Sequence, residues 1–328
     1  MEEYFLKAKI KFKRKLFHIL FFMLCEGIFI TIFTTLLVYY GPFNNVKETV
    51  VSTVMGTSSN HYLATMFLSS KEINKIIQKT NPVFKNAKQD LSNIKVSNKG
   101  NNGIQIININ ESHFKGYLIL IKDPKRIAVG VTPSLGHSGA TLREIISTSK
   151  AVGGINAGGF VDDNLMGTGG KPIGILINSN KIVYKQSGLN NFSVVGFNNS
   201  DILVVSNSMT LNEIKNSKLR CAASFGPVLI VGGKPLVAFG GRTLQPRSAI
   251  GQKKDGTVLL LAIDGRQLGS KGANYMELQN VLLKYGAYNA ANLDGGSSTT
   301  LIYQGKTINN PSDIIGERSV PSAFLIMP

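Results

Sequence analysis

The chain has no tryptophan, two cysteines and four histidines among 328 residues, and 19 acidic groups stand against 36 basic ones. Each shortage removes a class of function. Without tryptophan, and with no Lys/Arg block beyond the first fifteen residues, base stacking and phosphate tracking lack their usual groups, so no nucleic-acid partner is expected. There is no HExxH and no cysteine cluster. "GQKKDGTV" has the glycine spacing of a P-loop without its Lys-Ser/Thr pair, and "GTGGKPIG" lacks the strand and helix order of a dinucleotide site. Of the histidines only His137, in "SLGHSGATL", sits in a glycine-rich loop, where it reads as a surface residue. Acids with main-chain carbonyls can hold calcium, but nothing resembles the alternating acids of a calcium loop. Neither a metal nor a cofactor is assigned.

Cys25 lies in a long apolar run and Cys221 in "LRCAASFGP". One cysteine in a membrane span and one in the body cannot pair, so no internal disulfide is expected. Cys221 reads as a small buried hydrophobe rather than a nucleophile.

Hydrophobic residues make up 43% of the chain, charged ones 17%, and there are 34 glycines. That balance belongs to a folded, turn-rich protein. Residues 16–40 form 25 mostly apolar positions, enough for a helix to cross a hydrocarbon core of ~30 Å. Lys7, Lys9, Lys11, Lys13, Arg14 and Lys15 precede them, and such a flank stays cytoplasmic, which puts the rest outside. A cleaved signal peptide would have an apolar region of about 7 to 15 residues and a small-residue site; "LLVYYGPF" offers none. The reading is a single-pass anchor in the cell membrane with a basic cytoplasmic tail at 1–15. Glu26 within it reads as a tolerated charge.

Residues 41–102 read as a stalk and linker. "YLATMFLSSKEINKIIQKTNP" has the spacing of two short amphipathic helices, with Ser69 and Ser70 ahead of Glu72 as a cap. The polar "KNAKQDLSNIKVSNKGNNG" reads as the linker. From about residue 103 to 328, β-branched runs alternate with Gly, Asn and Pro turns: "HFKGYLILIKDP" and "RIAVGVT" as strands, "TLREIISTSKA" as a helix, "GILINSNKIVYKQ" as a hairpin. "TVLLLAIDG" is a strand buried on both faces and "NYMELQNVLLKYG" a helix. The fold class is α+β, a mixed sheet joining distant segments.

The chemistry gathers in glycine-flanked polar residues: Asn156 in "GGINAGGF", Arg247 in "QPRSAIG", Asp264 and Arg266 in "AIDGRQLGS", and Asp294 in "NLDGGSSTT". Glycine lets backbone approach a ligand closely. Two apolar strands that each end in Asp-Gly should deliver both acids to strand ends, where sites form. Paired carboxylates suit glycosyl transfer and an arginine fork suits a phosphate.

In order, "GGINAGGF", "FGPVLIVGGKPL", "QPRSAIGQKKDGTVLLLAIDGR", "YMELQNVLLKYGAYNAANLDGGSSTTLIY" and "ERSVPSAF" resemble the phosphodiester glycosidase family, which takes in N-acetylglucosamine-1-phosphodiester alpha-N-acetylglucosaminidase domains and bacterial exopolysaccharide-related proteins. The resemblance covers about residues 104–328. It implies hydrolysis between a sugar C1 and a phosphodiester oxygen, with Asp294, Glu277 and Asp264 as catalytic candidates. Asp294 or Glu277 would be the nucleophile or base, although Glu277 also suits the first turn of its helix. Arg247 and Arg318 would take the phosphate, and Arg266, Asn156 and the amides of Gly295, Gly296 and Ser297 sugar or phosphate oxygens. Ser297 has no histidine spaced to activate it. The expected partner is an anionic sugar-phosphate polymer of wall or exopolysaccharide, or a sugar-1-phosphodiester. A transferase using the same residues and a non-catalytic polysaccharide-binding module remain the alternatives.

Overall fold

The computed structural model describes residues 1–57, 60–161, 168–313 and 316–328, and near the N-terminus all side chains but those at 2, 3, 6–8 and 10. Helix α1 (Glu2–Tyr40) contains the apolar run; its part Lys11–Tyr40 is long and apolar enough to cross a membrane, and only its last turn packs on the rest of the chain, through Val38 and the buried Tyr39. After Gly41 and Pro42 come α2 (Asn44–Met55), the single turn α3 (Tyr62–Thr65) and α4 (Ser70–Thr80). Ser69 caps α4 as the sequence implies, its hydroxyl accepting from Glu72 N while the Glu72 carboxylate accepts from Ser69 N. Two orphan amides are thereby satisfied.

The body is built on a seven-stranded sheet in the order Lys234–Pro235, Val228–Val231, Asn289–Leu293, Arg247–Gln252, Val258–Ile263, Lys115–Ile121, Ile104–Asn110. Its centre is apolar on both faces. Leu260 and Ala262 point into a core shared with two five-stranded sheets, while Leu259, Leu261 and Ile263 meet Leu278, Val281 and Leu282 of the helix Tyr275–Lys284. That two-sided burial is why "TVLLLAI" runs unbroken instead of alternating. One five-stranded sheet includes Gly153–Asn156, Leu301–Tyr303, Ser322–Ile326 and Ile127–Val131; the other is formed by strands between Ile175 and Ala223. The structure confirms an α+β architecture with several sheets but corrects one detail, since every strand pair among the described residues is antiparallel. Cys221 is buried as expected, and burial pushes its thiol upward.

Residues 41–102 are not a free stalk. Val83–Phe84 pairs with Val237–Phe239. The Gln89 side chain donates to Leu203 O at 2.7 Å and accepts from Val205 N at 2.9 Å; Lys95 N and Ser97 N donate to Lys254 O and Asp255 O at 2.9 and 3.1 Å. On α2, the buried Glu48 joins Lys79 and Arg242. The "linker" holds on through polar groups, which a hydrophobic pattern does not register, together with a few apolar anchors such as Leu91 and the buried Ile94.

A chain beginning at residue 103 loses these contacts. Loss of the four hydrogen bonds through Gln89, Lys95 and Ser97, at about 1 kcal/mol each and roughly 2–4 °C per kcal/mol, lowers its thermal midpoint by about 8–16 °C against a chain beginning at residue 42. Equal midpoints by calorimetry would mean that the segment merely lies on the surface.

Candidate functional site

The register of the large sheet decides what meets at its end. Arg247 opens its strand opposite Ile263, and Ser248 lies opposite Leu293. Asp264 and Asp294, each one residue beyond those partners, therefore emerge on either side of Arg247 at the same edge. The strand-end expectation holds for both acids, yet their side chains part.

Asp294 lines a cleft of about 280 Å³ together with Arg247, Arg266, Arg318 and the turn Gly295–Ser298. Its backbone is clamped: Asp294 N donates to Ala157 O at 3.0 Å, and Asn156 Nδ2 donates to Asp294 O at 2.6 Å. The Asn156 Oδ1 accepts from Ser248 Oγ at 2.8 Å and Thr300 N at 3.1 Å. Only 1% exposed, Asn156 is a bracket across three strand ends and does not line the cleft. Its expected contact with substrate is replaced by the positioning of Asp294.

Arg247 and Arg266 are oriented by neutral groups. Arg247 donates from Nε to Ala273 O at 3.0 Å and its guanidinium lies 4.0 Å from the Tyr275 ring centre, a cation–π contact. Arg266, at φ 59°, turns back so that Nε donates to Gln245 Oε1 at 2.9 Å and Nη1 to Ser297 Oγ at 3.2 Å. Arg318 stands over the Phe160 ring at 5.0 Å. Burial, then the charges of Arg247 and Arg318, lower the Arg266 pKa.

The glycines after Asp294 are there for space. A Cβ on Gly295 would stand 2.9 Å from Pro246 O, and one on Gly296, at φ 61°, 3.2 Å from Arg266 Nη2. The Gly296 amide donates to Pro246 O at 2.9 Å, so it braces the turn instead of offering itself to an oxyanion.

Asp264 and Glu277 stand outside the cleft. Asp264 is 3% exposed and its Oδ1 accepts from Asn310 N at 2.9 Å and Asn309 Nδ2 at 3.2 Å; it pins the loop that follows Lys306–Thr307. Burial raises its carboxyl above the ordinary range, against those hydrogen bonds and the charge of Lys115. Glu277 closes a capping box with Asn274, accepting from Asn274 N at 2.8 Å, and its other oxygen lies 3.0 Å from His113 Nε2. Neither acid lines the cleft, and the hydrogen bonds of each hold a turn or a helix end. Among the described residues no group of three or more His, Cys, Asp or Glu could hold a metal ion.

Several lining residues had no motif to announce them. Asn292 shares the cleft with Asp294 because residues two apart on a strand face the same way; that period was the available signal. Gln245 lines it while bridging Arg266 to Thr53 O, to which its Nε2 donates at 3.1 Å. Gly56 and Thr57, at the end of α2, complete the wall, and nothing local in the sequence points there.

The raised pKa of Asp264 gives a test of its role. A carboxyl raised in the folded state supplies stability below its unfolded value of about 3.9, lost as pH rises through the folded value. Asp264→Asn keeps the acceptor oxygen without the charge, so at pH 7 its thermal midpoint should equal or exceed wild type. The gain should shrink as pH falls toward ~4. Cleft function should survive; a loss of ~10²-fold or more in turnover would restore Asp264 to the chemistry.

Residues 149–327 match the phosphodiester glycosidase family. The SPbeta prophage-derived uncharacterized protein YomE of Bacillus subtilis (strain 168) is 32% identical over 215 residues, 60% of this chain and 31% of YomE. The N-acetylglucosamine-1-phosphodiester alpha-N-acetylglucosaminidase of Homo sapiens is 40% identical over 70 residues, 21% of this chain and 13% of the human protein. Each relative is thus matched over less than a third of its length or about that. In fold, the chain is similar to the zebrafish N-acetylglucosamine-1-phosphodiester alpha-N-acetylglucosaminidase catalytic domain auto-inhibited by pro-peptide, with TM-score 0.58, 21% identity, and coverage of 71% of this chain and 87% of that one. With the family match spanning more than half of its residues, the chain belongs to the phosphodiester glycosidase family.

Proposed function

We propose that the chain hydrolyses the bond between a sugar C1 and a phosphodiester oxygen, outside a membrane in which α1 anchors it. The observation that carries this reading is the cleft itself: three guanidinium groups and one carboxylate, Asp294, among the described lining residues. Arg247, Arg266 and Arg318 hold the phosphate, whose charge grows as the C1–O bond breaks. The carboxylate faces the electron-poor anomeric carbon. A water oxygen bonds to C1, its proton passes to Asp294, and the phosphomonoester departs with the bonding pair. A phosphate leaves readily, so one carboxylate suffices where ordinary glycosides require two.

The membrane placement rests on the basic residues ahead of the apolar helix and the positive-inside rule. Anionic wall or exopolysaccharide material bearing sugar-1-phosphodiesters fits the net charge of +14 that 30 basic and 16 acidic residues leave beyond residue 26. UDP-GlcNAc and a GlcNAc-1-phosphodiester serve as first substrates, the sugar being suggested by the names of the relatives.

Full-length protein in detergent micelles should release free sugar. Asp294→Asn should cut kcat by about 10²–10⁴-fold with an unchanged thermal midpoint, and Arg247→Ala should cut kcat/KM by at least ~10²-fold. Sugar passed to an added polymer instead of to water would turn the reading to a transferase. Binding of anionic glycan with no turnover of any sugar-1-phosphodiester would leave a binding module.

A further inference from the structure

A second hollow lies a few residues from the cleft. It measures about 520 Å³ and runs between the last turns of α1 and the pair α2 and α3, with Thr34, Val38, Val50, Val54, Leu63 and Met66 on its walls. Its geometry is fixed: Tyr39 and Tyr40 donate to Leu63 O and Phe67 O, and the Tyr39 ring stacks on Phe67 at 4.6 Å. Around it Tyr62 and Met66 are 54% and 70% exposed. Apolar and aromatic side chains bared beside the end of a spanning helix suit the boundary of a bilayer.

The last turn of α2 is a wall of both hollows. Val54 faces the apolar groove, while Gly56 and Thr57 face the arginine cleft. Thr57 is tied down by its N and Oγ1, which donate to Val54 O at 3.2 and 2.7 Å. The same turn thus walls a cationic site and an apolar one.

We infer that the substrate is an amphiphile: a sugar-1-phosphodiester whose second ester oxygen carries a long hydrocarbon chain, with the sugar phosphate in the arginine cleft and the first methylenes in the α1–α2–α3 groove. A phosphodiester joins the two parts over the separation the turn provides. The groove is walled by residues 34–39 of α1, at the outer margin of its apolar run, so the chain enters sideways from the bilayer while the head stays in water. This inference rests on the proposed glycosidase reading for its head group and on α1 spanning the membrane for its tail.

The test compares methyl and dodecyl diesters of GlcNAc-1-phosphate with the full chain in phosphatidylcholine vesicles. Burial of two methylenes alone is worth on the order of tenfold, so kcat/KM for the dodecyl diester should exceed that for the methyl diester by at least that factor. Met66→Glu, at an exposed position, should bring the ratio down to near one. A ratio near one in wild type, or a preference that Met66→Glu leaves intact, overturns the inference. If neither diester is cleaved, the glycosidase reading fails, and a second measurement still decides the groove. Dodecyl phosphate with a terminal diazirine should cross-link within residues 34–67; labels spread evenly along α1 would mean that the groove selects nothing.

Discussion

Three guanidinium groups have to be held close together at one sheet end. Arg247, Arg266 and Arg318 line one small cleft, where burial and then the neighbouring guanidinium charges lower the Arg266 pKa. A carboxylate for each would remove the repulsion and the binding site together. Arg247 is instead held by a carbonyl and a ring face, and Arg266 by an amide oxygen and a hydroxyl. Such neutral partners fix direction while leaving the charge available to an anion. The rigid edge of a sheet buried on both faces supplies the stiffness that the repulsion demands.

That arrangement reaches back into the N-terminal region. Gln245 accepts from Arg266 and donates to Thr53 O on α2, so the orientation of a phosphate-facing arginine depends on a helix 190 residues earlier in sequence. Thr243 Oγ1 and Leu244 N also bond to Ser52 and Thr53, at 3.2 and 3.3 Å. The segment between the apolar helix and the body is a structural part of the cleft, which couples the site to whatever surface α1 enters.

The strand ends were legible because the chemistry of strands is local: apolar runs broken by Asp-Gly foretell where a sheet stops. The difference between the two acids was not. "AIDG" and "NLDGG" have the same grammar, and what separates them is the loop at Asn309 and Asn310, which turns Asp264 inward. The placement of Asn156 and Glu277 outside the cleft lining was hidden for a related reason. A buried asparagine that brackets strands and a glutamate that closes a capping box use the same residue types as ligand contacts, and only partners distant in sequence or in the turn tell them apart. Gly56 and Thr57 had no signal at all, since a helix end becomes a cleft wall only by docking.

A single carboxylate beside three guanidinium groups also fits the direction in which charge moves. In the ground state the phosphodiester carries one negative charge; as the C1–O bond lengthens, a second develops on the departing oxygen, and the ring becomes positive at C1. On the proposed reading the arginines would bind the transition state more strongly than the substrate, and Asp294 would meet the positive charge that develops on the ring. Interactions that strengthen along the reaction coordinate are those that accelerate it. On that reading a second acid in the cleft would protonate an oxygen that leaves readily without a proton, and its charge would compete with the phosphate for the guanidinium groups. The outward turn of Glu277 and the inward turn of Asp264 keep both carboxylates away from that charge separation.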